Sequence, residues 1–389
     1  MVKPMPSYSS AIVSRLPNVG TTIFTVMSNL AAECGAINLS QGFPDFECPP
    51  LLLERVMHHM QAGHNQYAPM IGVAPLREGI AEKVASLYGR QYDVANEITV
   101  TAGATQAIYT AVTARVRPGD EVIVFEPVYD SYVPAIELAG GKPVYVELKY
   151  PEYRVNWNEV AALISPRTRM IMINTPNNPA GSVLSADDMQ ALSRLVAGTD
   201  IVIVSDEVYE HIIFDGLRHE SAARYPELAE RTFIISSFGK TYHVTGWKIA
   251  YCLAPKELMA EFRKAHQFIV FSCNTAVQLG IADFLREKSH YLNLPDFYQQ
   301  KRDFFLRAIE GSRFVPLKSS GSYFQLLNYG AISDESDVEF AKRVTREHGI
   351  ASIPVSVFYH DRQDHKVVRF CFAKSEETLS KGAEKLRRI

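Results

Sequence analysis

Lys240 is the residue whose type and position most directly suggest chemistry. It lies in residues 236–242, SSFGKTY, directly after the short apolar run 232–235. That run is rich in β-branched residues, as is typical of a buried parallel strand. Open α/β sheets bind ligands beyond the carboxyl ends of their strands, so a lysine at this place points toward a ligand crevice. The alternative is an ordinary surface lysine, which is the usual case for an isolated lysine.

Other polar side chains follow other apolar runs in the same way. Asp206 and Tyr209 come after the run 201–204, and Asn178 comes after the run 170–173. One turn of helix would place Asp206 and Tyr209 on the same side. Each residue also has a simpler interpretation, as a helix cap or as part of a proline-fixed turn. Those interpretations do not explain why all of these groups fall at strand ends, so the pattern favours one shared site.

A candidate anion site follows the strand predicted at residues 97–101. Residues 103–105, Gly-Ala-Thr, join that strand to a helix, and the free N–H groups at a helix N-terminus suit a phosphate. Ser237 and Lys248 could add a hydroxyl donor and a cation. Small residues at such turns also occur for steric reasons alone, so the signal depends on these partners.

Composition excludes several other classes of protein. The 389 residues carry 40 basic and 43 acidic side chains, a balance that gives no sign of nucleic-acid or membrane-surface binding. The five cysteines form no C-x-x-C pair, which argues against a disulfide framework or a zinc site and favours a reducing cytoplasm. Residues 1–15 contain no continuous apolar segment and no run of 18 apolar residues occurs, so we expect neither secretion nor a membrane span.

The elements that must position these residues alternate in the manner of an α/β protein. Seven short apolar runs read as strands, with helices between several of them, which predicts a mainly parallel seven-stranded sheet covered on both faces. After about residue 290 the pattern changes to alternating strands and amphipathic helices. We therefore expect an N-terminal arm that also completes the small domain (1–45), a large domain (46–290) and a smaller α+β domain (291–389). The seven predicted strands cover residues 98–101, 121–125, 143–148, 170–173, 201–204, 232–235 and 249–253.

Taken together, these segments resemble a known enzyme family. The motifs N-x-P-x-N-P-x-G (174–181), S-D-E-x-Y (205–209) and S-x-x-K followed by a second lysine at 248 occur in the order and spacing of class I/II aminotransferases. Those enzymes use pyridoxal phosphate on the aspartate-aminotransferase-like scaffold called fold type I. Further stretches, including residues 38–46 and 245–248, resemble the branch that contains kynurenine/glutamine and bacterial methionine aminotransferases. The resemblance covers nearly the whole chain.

The resemblance implies roles for the residues at the strand ends. Lys240 would hold the cofactor covalently and then carry the proton between the substrate Cα and the cofactor. Asp206 would pair with the pyridine nitrogen, while Tyr209 and Asn178 would bind the phenolic oxygen. Tyr129 would stack on the ring, although core packing is its simpler role. The remaining residues expected at the cofactor are Gly103, Ala104, Thr105, Asn174, Ser237, Lys248 and, from the second subunit of a homodimer, Tyr67.

The substrate side of the site is also implied by the resemblance. Arg369 would grip the α-carboxylate, with Gly42 and Asn178 beside it, and an arginine in an apolar strand is costly without such a partner. The side-chain pocket would be formed by aromatic residues, namely Phe24, Tyr67 and Phe271. Lys248 stands where many class I enzymes have arginine, so we expect a point-charge contact to phosphate.

These implications favour transamination of apolar or aromatic amino acids, such as methionine and phenylalanine, with a 2-oxo acid acceptor. No second arginine for a distal carboxylate is evident, which disfavours aspartate as a donor. Kynurenine transamination and β-elimination from cysteine conjugates remain open on the same motifs, because each begins with loss of the Cα proton. A non-catalytic relative of DNA-binding regulators is disfavoured, since no basic helix-turn-helix pattern lies before residue 50.

Overall fold

The structure is a computed structural model that describes residues 13–389. Its strands are β1 (Ile37–Asn38), β2 (Ile98–Thr101), β3 (Glu121–Glu126), β4 (Lys142–Glu147), β5 (Thr168–Asn174), β6 (Val202–Asp206), β7 (Thr232–Ser237), β8 (Ala250–Leu253), β9 (Val315–Pro316), β10 (Phe324–Asn328), β11 (Ile350–Ala351), β12 (Ile353–Pro354) and β13 (Val367–Cys371). Its helices are α1 (Ile23–Glu33), α2 (Pro50–Gln61), α3 (Ala74–Tyr88), α4 (Ala104–Arg115), α5 (Tyr132–Leu138), α6 (Trp157–Leu163), α7 (Ala186–Val196), α8 (Pro226–Ala229), α9 (Phe238–Thr241), α10 (Lys256–Ile269), α11 (Thr275–Leu285), α12 (Ser289–Leu292), α13 (Leu294–Ala308), α14 (Asp337–His348) and α15 (Glu376–Leu386).

Seven strands form the central sheet in the order β2-β8-β7-β6-β5-β3-β4. Within this sheet β8 runs antiparallel to both of its neighbours, and the other six strands are parallel. The prediction of a mainly parallel seven-stranded sheet is therefore confirmed. Because the six parallel strands all end at the same edge, the residues that follow them converge there.

The central sheet is buried on both faces, which explains the continuous apolar runs. Alternate residues of one strand enter different cores: Ile203 packs in one buried cluster, and Val204 packs in the other. Polar caps fix where the covering helices begin. Ser185 and Asp188 form a capping box at the start of α7, with each side chain bonded to the other's backbone N–H.

A second sheet lies in the C-terminal part of the chain, with the antiparallel order β12-β13-β10-β9. Beside it, β1 pairs in parallel with β11, so Ile37 lies next to Ile350. This part of the N-terminal segment thus packs with C-terminal elements. The boundaries at residues 45 and 290 stay predictions.

Two local details differ from the sequence-based expectation. Residues 206–209 form no helical turn: Asp206 ends β6, and Tyr209 lies in the turn that follows. Helix α1 was not anticipated from the weak periodicity of the first 45 residues. It forms because Thr22 caps its first turn and because one side of the helix packs into the core. That side carries Met27, Leu30 and Ala31.

Within residues 13–389, no helix is both long enough and apolar enough to cross a membrane.

The contact between α2 and α11 gives a test of the packing. A methyl group at Gly280 of α11 would lie 2.8 Å from the backbone nitrogen of Val56 and 2.9 Å from its Cα. We expect Gly280→Ala to destabilise the protein by about 2 kcal/mol, because overpacking against backbone outweighs the gain in helix propensity. Thermal unfolding followed by fluorescence measures the change.

Gly382→Ala in α15 is the matched control. Its added methyl group meets only side-chain atoms, the nearest being Leu39 Cδ1 at 3.1 Å and Ile350 Cδ1 at 3.4 Å, which can move aside. The control should therefore keep a melting temperature close to that of the wild type. Equal losses in the two variants would contradict the proposed importance of the α2–α11 contact.

Candidate active site

A cavity of about 290 Å³ lies at the carboxyl edge of the central sheet. Residues from both sheets and from the N-terminal segment surround it. The predicted site residues that line it are Phe24, Gly42, Gly103, Ala104, Thr105, Tyr129, Asn174, Asn178, Asp206, Tyr209, Ser237, Lys240, Lys248 and Arg369. Sequence-distant groups thus meet at one place, as the strand-end pattern predicts.

Lys240 reaches this cavity from the short helix α9, directly after β7. Its Nζ donates to the hydroxyl of Tyr323 at 2.7 Å and to the carbonyl oxygen of Gly42 at 3.2 Å. Burial lowers the pKa of Lys240 to about 8, and the positive charges of Arg369 and Lys248 act in the same direction. A lysine in this state readily supplies a neutral amine near physiological pH.

Asp206 is a buried carboxylate, 4% exposed, at the end of β6. The hydroxyl of Tyr132 donates to its Oδ2 at 2.5 Å, and the backbone N–H of Val208 donates to Oδ1 at 3.3 Å. Burial raises the pKa of Asp206 to about 6, against the opposing effect of the Tyr132 hydrogen bond. A buried carboxylate with neutral donors alone is suited to a cationic partner such as a protonated aromatic nitrogen.

Asn174 bonds to the backbone of Asp206, and Tyr209 packs against Tyr323. The Asn174 amide donates to the backbone carbonyl of Asp206 at 3.0 Å and accepts from the N–H of Asn178 at 2.8 Å. The Tyr209 ring packs edge to face on Tyr323, with the ring centroids 5.1 Å apart. Burial raises the pKa of Tyr209, so its hydroxyl stays a neutral donor.

Arg369 is only 1% exposed, in the middle of β13. It donates to the Asn178 side-chain oxygen at 2.7 Å and to the Ser40 carbonyl at 2.9 Å, while its Nε has no partner. Its guanidinium carbon lies 3.8 Å from the centroid of the Phe324 ring. Burial lowers the pKa of Arg369, since desolvation disfavours the charged form, and no carboxylate in the described part of the chain lies within ion-pair distance of it. The unpaired N–H and buried charge suit a carboxylate ligand.

The opposite end of the cavity suits a phosphate. Gly103 is the N-cap of α4 and has φ of +88°, a conformation that favours glycine. A Cβ at Gly103 would lie 3.0 Å from the Lys248 Nζ, so the lysine amine packs directly against the start of this helix. Backbone N–H groups, a helix N-terminus and a cation together form an anion site, with Ser237 and Thr105 beside it. The residues present thus fit both ends of a phosphorylated pyridine cofactor.

Two predicted residues do not join this cavity within one chain. Tyr67 is 81% exposed and Phe271 is 48% exposed. Their rings contact each other edge to face, with centroids 5.1 Å apart, on the surface. They lie in the loops that follow α2 and α10.

Several residues of the site were missed by the sequence-based prediction. Tyr132 lies three positions after Tyr129, and Tyr323 and Phe324 lie at the start of β10. Gln41 also lines the cavity, next to the predicted Gly42. The only sequence signal for them is adjacency to a predicted element or site residue, because their contacts are made by distant parts of the chain.

Comparison with known proteins defines the class. The family model for aminotransferases of class I and II matches residues 35–386. The chain therefore belongs to this family, and it is a pyridoxal-phosphate-dependent transaminase that acts on amino acids and 2-oxo acids. The fold type I prediction is confirmed, since a Thermus thermophilus aspartate aminotransferase structure matches with a TM-score of 0.88 at 29% identity. That match covers 97% of this chain and 99% of the other.

Other relatives are more similar in sequence to this chain than that aspartate aminotransferase is. Methionine aminotransferase of Escherichia coli is 55% identical over 377 residues, which are 97% of this chain and 98% of the relative. A solved E. coli structure with a methionine aminotransferase function matches with a TM-score of 0.95, covering 97% of this chain and 99% of that one. Human kynurenine–oxoglutarate transaminase 1 is 34% identical over 96% of this chain and 97% of its own length.

The lowered pKa of Lys240 predicts how the protein takes up its cofactor. The rate of covalent attachment to cofactor-free protein should rise with pH through about 8 and then level, because only the neutral amine attacks an aldehyde. Stopped-flow absorbance gives the midpoint. Lys240→Ala should give no covalent product after borohydride reduction. A midpoint near the ordinary lysine value of about 10.4 would contradict the buried environment described here.

Proposed function

We propose that this transaminase prefers donors with uncharged apolar or aromatic side chains, such as methionine and phenylalanine. The observation that carries the proposal is the set of cations at the cavity. Among its lining residues only Lys240, Lys248 and Arg369 are basic, and each has a place in binding the cofactor or the α-carboxylate. The 55% identity to a methionine aminotransferase supports the same class of donor.

The α-carboxylate of the substrate would bind Arg369. Its Nε–H is a buried donor without a partner. Stacking on Phe324 holds the guanidinium plane, and the contacts with Asn178 and the Ser40 carbonyl fix its rotation. Gly42 borders the same place, where a side chain would strike the Phe324 ring at 2.8 Å.

The cofactor would lie between the phosphate end and Asp206. Lys248, Ser237 and residues 103–105 would hold the phosphate, and Tyr129 would cover the ring. Asp206 would keep a proton on the ring nitrogen. Tyr209 and Asn178 would donate to the phenolic oxygen, since the Asn178 oxygen already accepts from Arg369 and leaves its NH₂ group free.

Lys240 would carry the proton of the reaction. Bound pyridoxal phosphate supplies an electron sink for the pair left when the substrate Cα–H bond breaks. The free amine of Lys240 would take that proton from the substrate Cα and hold it for the second proton transfer of the reaction. A pKa near 8 matches this task, because the amine must both accept and release a proton near neutral pH.

We also propose a homodimer with shared sites. Tyr67 and Phe271 are exposed aromatic residues with no place in their own chain's cavity, so a second copy offers them one. In such a dimer Tyr67 would bind the partner's cofactor phosphate and Phe271 would line its substrate pocket. The alternative is that both residues pack only within their own chain. The mixing experiment below distinguishes this alternative from shared sites.

Two further proposals concern organisation and location. The chain would divide into a large domain (46–290) and a small domain (291–389) completed by residues 1–45, a division supported by the pairing of β1 with β11. Its five free thiols support a reducing cytoplasm as the location.

The donor preference is tested by a panel of amino acids. We expect kcat/KM for methionine and phenylalanine to exceed that for aspartate by about 100-fold or more, with kynurenine included for comparison. An aromatic wall gains about 25 cal/mol per Å² of apolar surface buried, whereas a side-chain carboxylate loses hydration without a paired cation. A common 2-oxo acid and Lys240→Ala as the inactive control complete the assay. Aspartate as the best donor would overturn the proposal.

The shared sites are tested by mixing two defective chains. A heterodimer of Tyr67→Phe and Lys240→Ala chains would contain one site with both wild-type residues. An equal mixture that exchanges subunits should therefore reach up to about a quarter of wild-type activity, above the sum of the separate variants. Activity equal to that sum, with subunit exchange shown by native mass spectrometry, would contradict a shared site.

A further inference from the structure

We propose that Tyr323 is a positioning residue that holds the free amine of Lys240 against the Gly42 carbonyl and leaves its proton-accepting side toward the cavity. The inference rests on the proposed role of Lys240 as the proton carrier. It concerns a residue of the same chain and does not depend on Tyr67.

The three groups form a closed triangle of polar atoms. Tyr323 is fully buried just before β10, and its hydroxyl lies 2.5 Å from the Gly42 carbonyl oxygen and 2.7 Å from the Lys240 Nζ. The same amine is 3.2 Å from the same carbonyl. Gly42 and Tyr323 come from opposite ends of the chain, so the triangle exists only in the complete fold.

The direction of each hydrogen bond follows from the groups present. Burial raises the pKa of Tyr323 well above its ordinary value, so the hydroxyl is neutral and has one hydrogen. A carbonyl oxygen cannot donate, so that hydrogen goes to Gly42. The phenolic oxygen can then offer only lone pairs to Lys240, which must donate to it.

This arrangement orients the nitrogen. The two acceptor oxygens are closer to each other than either is to the amine, so both lie on one side of it. The other tetrahedral directions of Nζ face away from them, and Lys240 lines the cavity. The position that alternates between a lone pair and an N–H is therefore left toward the cavity, where the substrate would bind.

The hydroxyl itself is held rigidly. The ring of Tyr323 packs against Tyr209, Tyr298 and Phe324, with centroid distances of 5.1, 5.9 and 5.0 Å. Among the described residues, Lys240 has no carboxylate within ion-pair distance, and its hydrogen-bond acceptors are Tyr323 and Gly42. The titratable or charged groups that face it from the packed elements are Asp206, Tyr209, Lys248, Tyr323, Arg369 and Cys371.

Tyr323→Phe removes the hydroxyl and keeps the ring. In the holoenzyme we expect kcat for methionine to fall about 30- to 100-fold with KM changed less than threefold, because a misplaced proton acceptor slows only the chemical step. The acid limb of the kcat profile should move to lower pH by about one unit, since the ammonium form loses an acceptor. The pH midpoint for covalent cofactor attachment to cofactor-free protein should move in the same direction.

Tyr298→Phe is the matched control. Tyr298 is also fully buried and packs on Tyr323, but its hydroxyl bonds the His243 Nδ1 at 2.9 Å rather than Lys240. The control should leave both pH midpoints unchanged even if its melting temperature falls. Unchanged midpoints in Tyr323→Phe, or equal shifts in the two variants, would overturn the inference.

The experiments distinguish a failure of the role of Tyr323 from a failure of the proposed function. If Lys240→Ala retained covalent cofactor and turnover, the assignment of the proton carrier would fail, and this inference with it. If Lys240→Ala were inactive and Tyr323→Phe behaved as wild type, only the role of Tyr323 would fail.

Discussion

The site depends on charges held out of water without partners of opposite sign. The Arg369 guanidinium is buried and has an N–H with no acceptor, and the Asp206 carboxylate receives only neutral donors. Leaving such groups unpaired costs free energy, which folding elsewhere in the chain must offset. The substrate and cofactor carry the complementary charges. Their binding therefore completes the electrostatics of the protein as well as its chemistry.

A second buried network holds the turn that carries Asp206 and Tyr209. The Glu210 carboxylate accepts from Lys83 at 2.5 Å, from Tyr251 at 3.0 Å and from Tyr88. Burial opposes ionisation of Glu210, but the Lys83 ammonium prevails and holds the pKa of that carboxyl well below its usual range. On the other side of Tyr209, Glu207 accepts from Ser205 at 2.7 Å, and its second oxygen bonds His219. Paired carboxylates thus fix the backbone on both sides of Tyr209.

The sequence was sufficient for those features that depend on local pattern. The parallel strands were predictable because each is a short apolar run, and Lys240, Asp206 and Asn178 were found because each directly follows one. Contacts between remote residues were not predictable in this way. Tyr323 touches Gly42 across 281 positions, and Arg369 touches Asn178 across 191. The Asp206–Tyr209 segment shows the other limit, since spacing suggested a helical turn where buried hydrogen bonds impose an irregular one.

The pairing of β1 with β11 has a consequence for how the chain matures. Ile37 is synthesised well before its partner Ile350. The segment that carries Gly42 must therefore wait, without its β11 partner, until Ile350 has left the ribosome. Because domains tend to fold in order of synthesis, the central sheet can assemble first. The segment that carries β1 then docks after the central sheet has formed, and its docking completes the site.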